Sequence, residues 1–153
     1  MDKVPPPIAV SAQDALRSFL AAIVESSDDA VIGTTPDGRI LSWNQGAEEI
    51  YGYAATEIVG KPLALLAVPE RGDEVRRFLE RIHRGERIRH FETLHLRKDG
   101  RVISVSLTLS PIIDRFGRIL GASTIARDET RRIRYEESLR EAEQKYRLLF
   151  AAE

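Results

Sequence analysis

The segment from Ile88 to Ala126 constrains the fold more than any other. Three stretches rich in β-branched and aliphatic residues, Ile88–Arg97, Val102–Ile112 and Ile119–Ala126, are separated only by Lys98-Asp99-Gly100 and Asp114-Arg115-Phe116-Gly117. Connections this short, with Asp and Gly where tight turns need them, join antiparallel neighbours, so a three-stranded meander is predicted. Upstream, Ala30–Thr35 and Arg39–Trp43 flank Pro36-Asp37-Gly38 and read as a hairpin. Helical pieces lie between the two β units. Asn44 can cap a helix from about Gln45, a short piece covers Thr56–Val59, and Asp73–His83 carries Val75, Phe78, Leu79 and Ile82 on one face, with Gly85 placed to end it. Five strands, split two and three around short helices, predict an α+β domain with a five-stranded antiparallel sheet.

Both flanks read as helical. Residues 1–10, MDKVPPPIAV, contain three consecutive prolines and predict a disordered lead. Residues 11–26 form an N-terminal amphipathic capping helix, with Ser11 as N-cap, Asp14 in the first turn, and Leu16, Phe19, Leu20, Ile23 and Val24 at helical spacing. The segment from Glu129 to Glu153 has no Gly or Pro, and Tyr135, Leu139, Ala142, Tyr146 and Leu149 recur at intervals of 4, 3, 4 and 3, the seam of a coiled coil. Glu136 with Arg140, Glu141 with Lys145 and Glu143 with Arg147 are spaced for i,i+4 ion pairs. Such a helix depends on a partner or folds back on its own sheet.

Charge and composition close off several functions. With 23 Lys and Arg against 24 Asp and Glu, the chain lacks the basic excess by which nucleic-acid binders neutralise phosphates. The absence of cysteine excludes disulfides, thiolate metal sites, cysteine nucleophiles and thiol-linked cofactors. No apolar run approaches the roughly 18–20 residues that cross a bilayer, and no signal core follows a basic N-terminus, so no membrane insertion and a cytoplasmic location are predicted. The sequence shows no nucleophile elbow, phosphate-binding glycine loop or paired-histidine zinc motif, so no catalytic residue is assigned. Asp37, Asp99 and Asp114 read as turn formers, and Asp73 as part of a helix start.

Five short motifs occur in order: Asp37-Gly38-Arg39-Ile40; Trp43-Asn44 with Ala47, Glu48 and Gly52-Tyr53; Glu57-Ile58-Val59-Gly60-Lys61; Arg97-Lys98-Asp99-Gly100; and Arg127-Asp128-Glu129-Thr130. In these the chain resembles a PAS domain, the sensory module of histidine kinases and similar signalling proteins, over Phe19 to Thr130. The resemblance implies a sensory core at 27–130 and a coiled-coil signalling linker at 131–153. Glu143 to Glu153 resembles the opening helix of a following PAS domain, which suggests a piece of a longer receptor with an output domain such as a histidine kinase. The closing motif in the family is more usually Asp-Ile-Thr. Glu129 departs from it, while Asp128 and Thr130, the residues the family implies for signal transmission, are present.

Family members that sense light through flavin would place their reactive cysteine at Leu63, so the photochemical adduct is excluded. Their flavin-bonding amides would fall near His95, Val105 and Ala126, two of them apolar, which disfavours non-covalent flavin. Haem-binding members would place the axial histidine near Val75, and His83 lies about two turns farther on, which disfavours haem. No cofactor is the expectation, and a ligand, where there is one, is unidentified. Strand parity turns Phe91, Thr93 and His95 inward with Ile103, Val105, Leu107, Leu109, Ala122, Thr124 and Ala126. His90 and His95 then point to opposite faces, so they form no metal site. The inward set with Leu63 and Phe78 outlines a candidate ligand pocket in which His95 contacts a ligand and titrates near neutral pH. The alternatives are a histidine satisfied by a neighbouring group, and a dry core filled by Leu63, Leu65, Phe78 and Ile82.

On the outer face, Leu94, Leu96, Val102, Ile119 and Ile125 alternate with Ser104, Ser106, Thr108 and Ser123, a surface that a helix could cover. The N-terminal helix supplies that cover through Leu16, Phe19, Leu20 and Ile23, either within one chain or in a homodimer. The dimer interface would continue along Tyr135, Leu139, Ala142 and Tyr146. A sensory and dimerisation module follows, with a ligand-free dimerising spacer as the alternative.

Overall fold

The computed structural model describes Val4 and residues 11–151. The predicted lead at 1–10, Val4 excepted, and residues 152–153 lie outside the described residues. In chain order the elements are α1 (Ala12–Ser26), β1 (Ala30–Thr34), β2 (Ile40–Trp43), α2 (Gln45–Tyr51), α3 (Ala55–Ile58), two 3-10 turns (Leu63–Leu66 and Pro69–Arg71), α4 (Glu74–His83), β3 (Ile88–Leu96), β4 (Val102–Ile113), β5 (Ile119–Asp128) and α5 (Thr130–Phe150). The strands form one sheet in the order β2-β1-β5-β4-β3, and every neighbouring pair is antiparallel. The first and last strands therefore pair at the centre, Ala30 opposite Ala126 and Thr34 opposite Ala122. Chain entry and exit consequently lie side by side, which decides how the flanking helices can communicate.

The inner face of the sheet carries the core. Ile32, Ile103, Val105, Leu107, Leu109, Ala122 and Ala126 are buried against Tyr51, Ile58, Leu63, Leu66, Phe78 and Ile82 from the helical side. Each large aliphatic or aromatic side chain buried there stabilises by roughly 1.5–3 kcal/mol. Turn chemistry fixes the connections. The Asp114 carboxylate, for example, accepts from the Phe116 and Arg118 backbone N–H groups at 2.8 and 2.9 Å.

One prediction fails inside β3. Ile88 pairs with Leu109 and Phe91 with Leu107, so three steps on β3 oppose two on β4. This is a bulge, and His90 sits in it at φ 50°, in the left-handed region. The extra residue brings Ile88 into the core at 3% exposure. Phe91 is not in the interior: β3 is an edge strand, and Phe91 is 36% exposed there, its ring meeting the edge of Phe78 at 5.0 Å.

The flanks also differ from expectation. Ser11 caps α1 as predicted, accepting from Asp14 N at 3.1 Å. Within the chain, however, α1 does not cover the outer sheet face: Leu16, Phe19, Leu20 and Ile23 are each more than half exposed, and so are Tyr135 and Tyr146 of α5. Among the described residues none of the three predicted ion pairs of α5 forms. Glu136 instead accepts from Arg132 Nη1 at 2.8 Å. Asp73 precedes α4 without a side-chain capping bond. Among the described residues no helix is long and apolar enough to cross a membrane.

Candidate functional site

The interior holds a small void lined by Ile32, Tyr51, Leu63, Leu66, Val75, Phe78, His95, Leu107, Leu109 and Thr124, with a volume of about 10 Å³. That is the lower limit of what one water occupies. Three polar side chains reach it. Tyr51 ends α2, His95 projects inward from β3, and Thr124 lies on β5. The Tyr51 hydroxyl and His95 Nδ1 share a hydrogen bond of 2.7 Å. The phenol has no other partner among the described residues, so it donates and the proton of the neutral imidazole sits on Nε2. The buried Thr124 hydroxyl finds no hydrogen-bond partner among the described residues.

Burial sets the protonation of this pair. Desolvation pulls the pKa of His95 down to about 4, so it stays neutral at pH 7 and does not titrate near neutrality as the sequence suggested. Tyr51 is pushed up, first by burial and then by the negative charge of Asp128. The hydroxyl satisfying His95 is Tyr51, a residue that strand parity does not single out; its signal was an aromatic at the end of a two-turn helix, just before Gly52.

Of the other proposed pocket residues, Leu63, Phe78, Leu107 and Thr124 line the void, while Thr93, Val105 and Ala126 are buried beside it. Thr93 belongs to a separate polar cluster, accepting from Arg71 Nη1 at 3.0 Å and donating to Glu74 Oε2 at 2.9 Å. Phe91 instead borders an external cleft with Pro69, Arg71 and Arg77. His83 is far from the void in function as well as place: at the surface, its Nε2 bonds the Pro36 carbonyl at 2.8 Å. Leu63 and Val75 both lie on the wall of the void.

The second part of the site is the junction at the end of β5. Asp128 is opposite Val105, the last ladder pair, so Ser104 on β4 would lack a partner on that side. The chain supplies one. Glu129 N donates to Ser104 O at 2.8 Å, and Thr130 Oγ1 accepts from Ser104 N at 2.9 Å. Asp128 Oδ1 in turn accepts from Thr130 N at 2.9 Å, satisfying one of the free donors of α5. Helix α5 thus starts bonded to the sheet, and the carboxylate that caps it is the one whose field reaches Tyr51.

A five-stranded antiparallel sheet with a helix-lined interior and a bonded exit helix defines a domain of the α+β class. The PAS fold family model matches residues 18–128, and the chain belongs to that family. It is 35% identical over 107 residues, 69% of its length, to two-component system protein A of Emericella nidulans. It is 30% identical over 127 residues, 83% of its length, to the signal transduction histidine-protein kinase AtoS of Escherichia coli. The chain spans only 15% and 20% of these two relatives. Among solved structures it is similar to the PAS domain of a Colwellia psychrerythraea protein, with a TM-score of 0.70, 26% identity, and coverage of 76% of this chain and 98% of that one. By their names these two relatives are a two-component system protein and a signal transduction histidine kinase.

Proposed function

We propose that the chain is the sensory and dimerisation module of a cytoplasmic signal-transduction receptor, passing the state of its core through Asp128–Thr130 to α5 and on to an output domain such as a histidine kinase. The observation that carries this reading is the bonding of Thr130 and Glu129 to Ser104, which makes α5 an extension of the sheet rather than a tether. Two states of the core then become two placements of the helix, and a ligand shifts their balance only through its differential affinity for them. The exposed apolar residues of α1 and α5 support a homodimer, in which both helices gain a partner.

A second reading, a ligand-free dimerising relay, is favoured by the near-closed interior of about 10 Å³. Native mass spectrometry of the purified chain, with an absorbance spectrum, separates the two. A dimer carrying a small molecule of fixed mass supports ligand sensing. A colourless dimer of apoprotein mass supports the relay, and a monomer contradicts both.

A further inference from the structure

The side-by-side entry and exit of the chain are joined by more than the β1–β5 ladder. Asn44, 2% exposed, uses its whole hydrogen-bonding capacity, three of its four bonds going to the entry segment and one to the start of α2. Its Nδ2 donates to Val24 O in the last turn of α1 at 2.7 Å and to Asp29 O at 3.0 Å. Its Oδ1 accepts from Val31 N at 2.8 Å and from Ala47 N at 2.9 Å. The link between α1 and β1 lies directly on α2: a Cβ at Gly46 would come within 2.3 Å of Asp29 O and 2.6 Å of Ser27 O. Helix α1 therefore cannot swing relative to β1 without breaking buried bonds.

From Asp29 the connection continues to the exit. The Asp29 carboxylate accepts from Arg127 Nε at 3.3 Å and from Nη2 at 3.2 Å, a two-pronged pair that reaches from the entry link to β5. Glu129 lines the same outer-face cleft as Asp29 and Arg127. Arg132, in the first turn of α5, pairs with Glu129 at 2.5 Å, Glu136 at 2.8 Å and Glu92 at 3.5 Å. Alternating charges thus run from the link after α1 to the second turn of α5 along the outer face, opposite the void.

We propose that Asn44 and the Asp29–Arg127 pair form a clasp that passes displacement of the incoming helix α1 directly to the outgoing helix α5, without passing through the interior void. This goes beyond sensing in the core: the module also relays in series a helix movement delivered from upstream. Asn44 is the positioning residue, and Asp29 with Arg127 is the transmitting pair. Arg127 is exposed and Asp29 half-buried, so the pair contributes little to stability. Its role is to keep the register of two elements that the fold already places together.

Hydrogen exchange of the Arg131–Glu136 amides in the 153-residue chain tests the clasp. Asp29→Arg, remote from α5 in sequence, is expected to speed their exchange about two- to fivefold, the range an exposed ion pair supports. The double swap Asp29→Arg with Arg127→Asp is expected to restore it, with the β4 amides unchanged throughout. The same Asp29→Arg effect is expected in a Tyr51→Phe background, where the void has lost its phenol. Unchanged α5 exchange in Asp29→Arg, or no recovery in the swap, overturns the clasp. Loss of the effect in the Tyr51→Phe background overturns its independence from the void.

Discussion

His95 is neutral because the core desolvates it, and this gives the protein a specific acid response. Its pKa is about 6.5 in an unfolded chain and about 4 in the folded one. Between those values the unfolded state binds a proton that the native state does not, so stability is full above about pH 6.5 and falls as pH is lowered toward 4. The loss amounts to about 2–3 kcal/mol by pH 4.5. Asp37, Glu57, Asp99 and Asp114 have lowered pKa values, chiefly through hydrogen bonds, and lose their contributions in the more acid range below the ordinary carboxylate values. Urea denaturation of His95→Gln should therefore be flatter than that of the parent between pH 6.5 and 4.5; equal slopes would show that His95 is protonated in the fold. Thr124 provides a second test. Its unpaired buried hydroxyl carries a desolvation cost, so Thr124→Val, which keeps the shape, should raise stability by about 1 kcal/mol in thermal unfolding. A lowered Tm would mean that the hydroxyl is bonded in solution.

At the scale of elements, α1, like α5, buries no residue within the chain. Its Ser11 cap and helical spacing specify a helix, yet Leu16, Phe19, Leu20 and Ile23 stay more than half exposed. Placing a charge there is expected to break a dimer while sparing the core. Leu20→Asp should convert dimer to monomer by light scattering with its far-ultraviolet circular dichroism retained, and an unchanged mass would remove α1 from the interface. The elements themselves were largely legible. From Ile103 to Ser110 β4 alternates bulky and hydroxyl residues, so its inward set Ile103, Val105, Leu107 and Leu109 follows from period two alone. β3 resists the same reading because a bulge is a backbone event that no side-chain pattern marks. His90, the residue that adopts the left-handed conformation, is not a glycine, so nothing marks the inserted residue that turns Ile88 inward, whereas Phe91 keeps its register opposite Leu107 and is exposed because β3 is an edge strand. The Glu136–Arg140 pair of α5 was misassigned for a different reason. Arg132 competes for Glu136, and it is held in place by Glu92 on β3, a tertiary neighbour that helical spacing does not contain.

At the scale of the whole molecule, the strand order makes the domain a connector. Because β1 and β5 pair at the centre, input and output helices leave from one end, and Tyr51, on the wall of the interior void, lies within the electrostatic reach of Asp128 at the exit. The Asp128–Thr130 motif was visible in the sequence through family resemblance. Its mechanism was not, since it depends on Ser104, 26 residues before Thr130, presenting unpaired backbone groups just where β5 stops. Tyr51 was missed likewise, because only the folded chain brings α2 and β3 together. The central claim is that the core and α5 are coupled through this junction. It is tested most directly by hydrogen exchange of the Arg131–Glu136 amides in the parent, Tyr51→Phe, Asp128→Ala and the double variant. The account predicts that Tyr51→Phe alters α5 exchange by about 2- to 30-fold, the span of a 0.5–2 kcal/mol coupling, and that the alteration disappears in the Asp128→Ala background. Additive effects of the two substitutions, or no response of α5 to Tyr51→Phe, would contradict it.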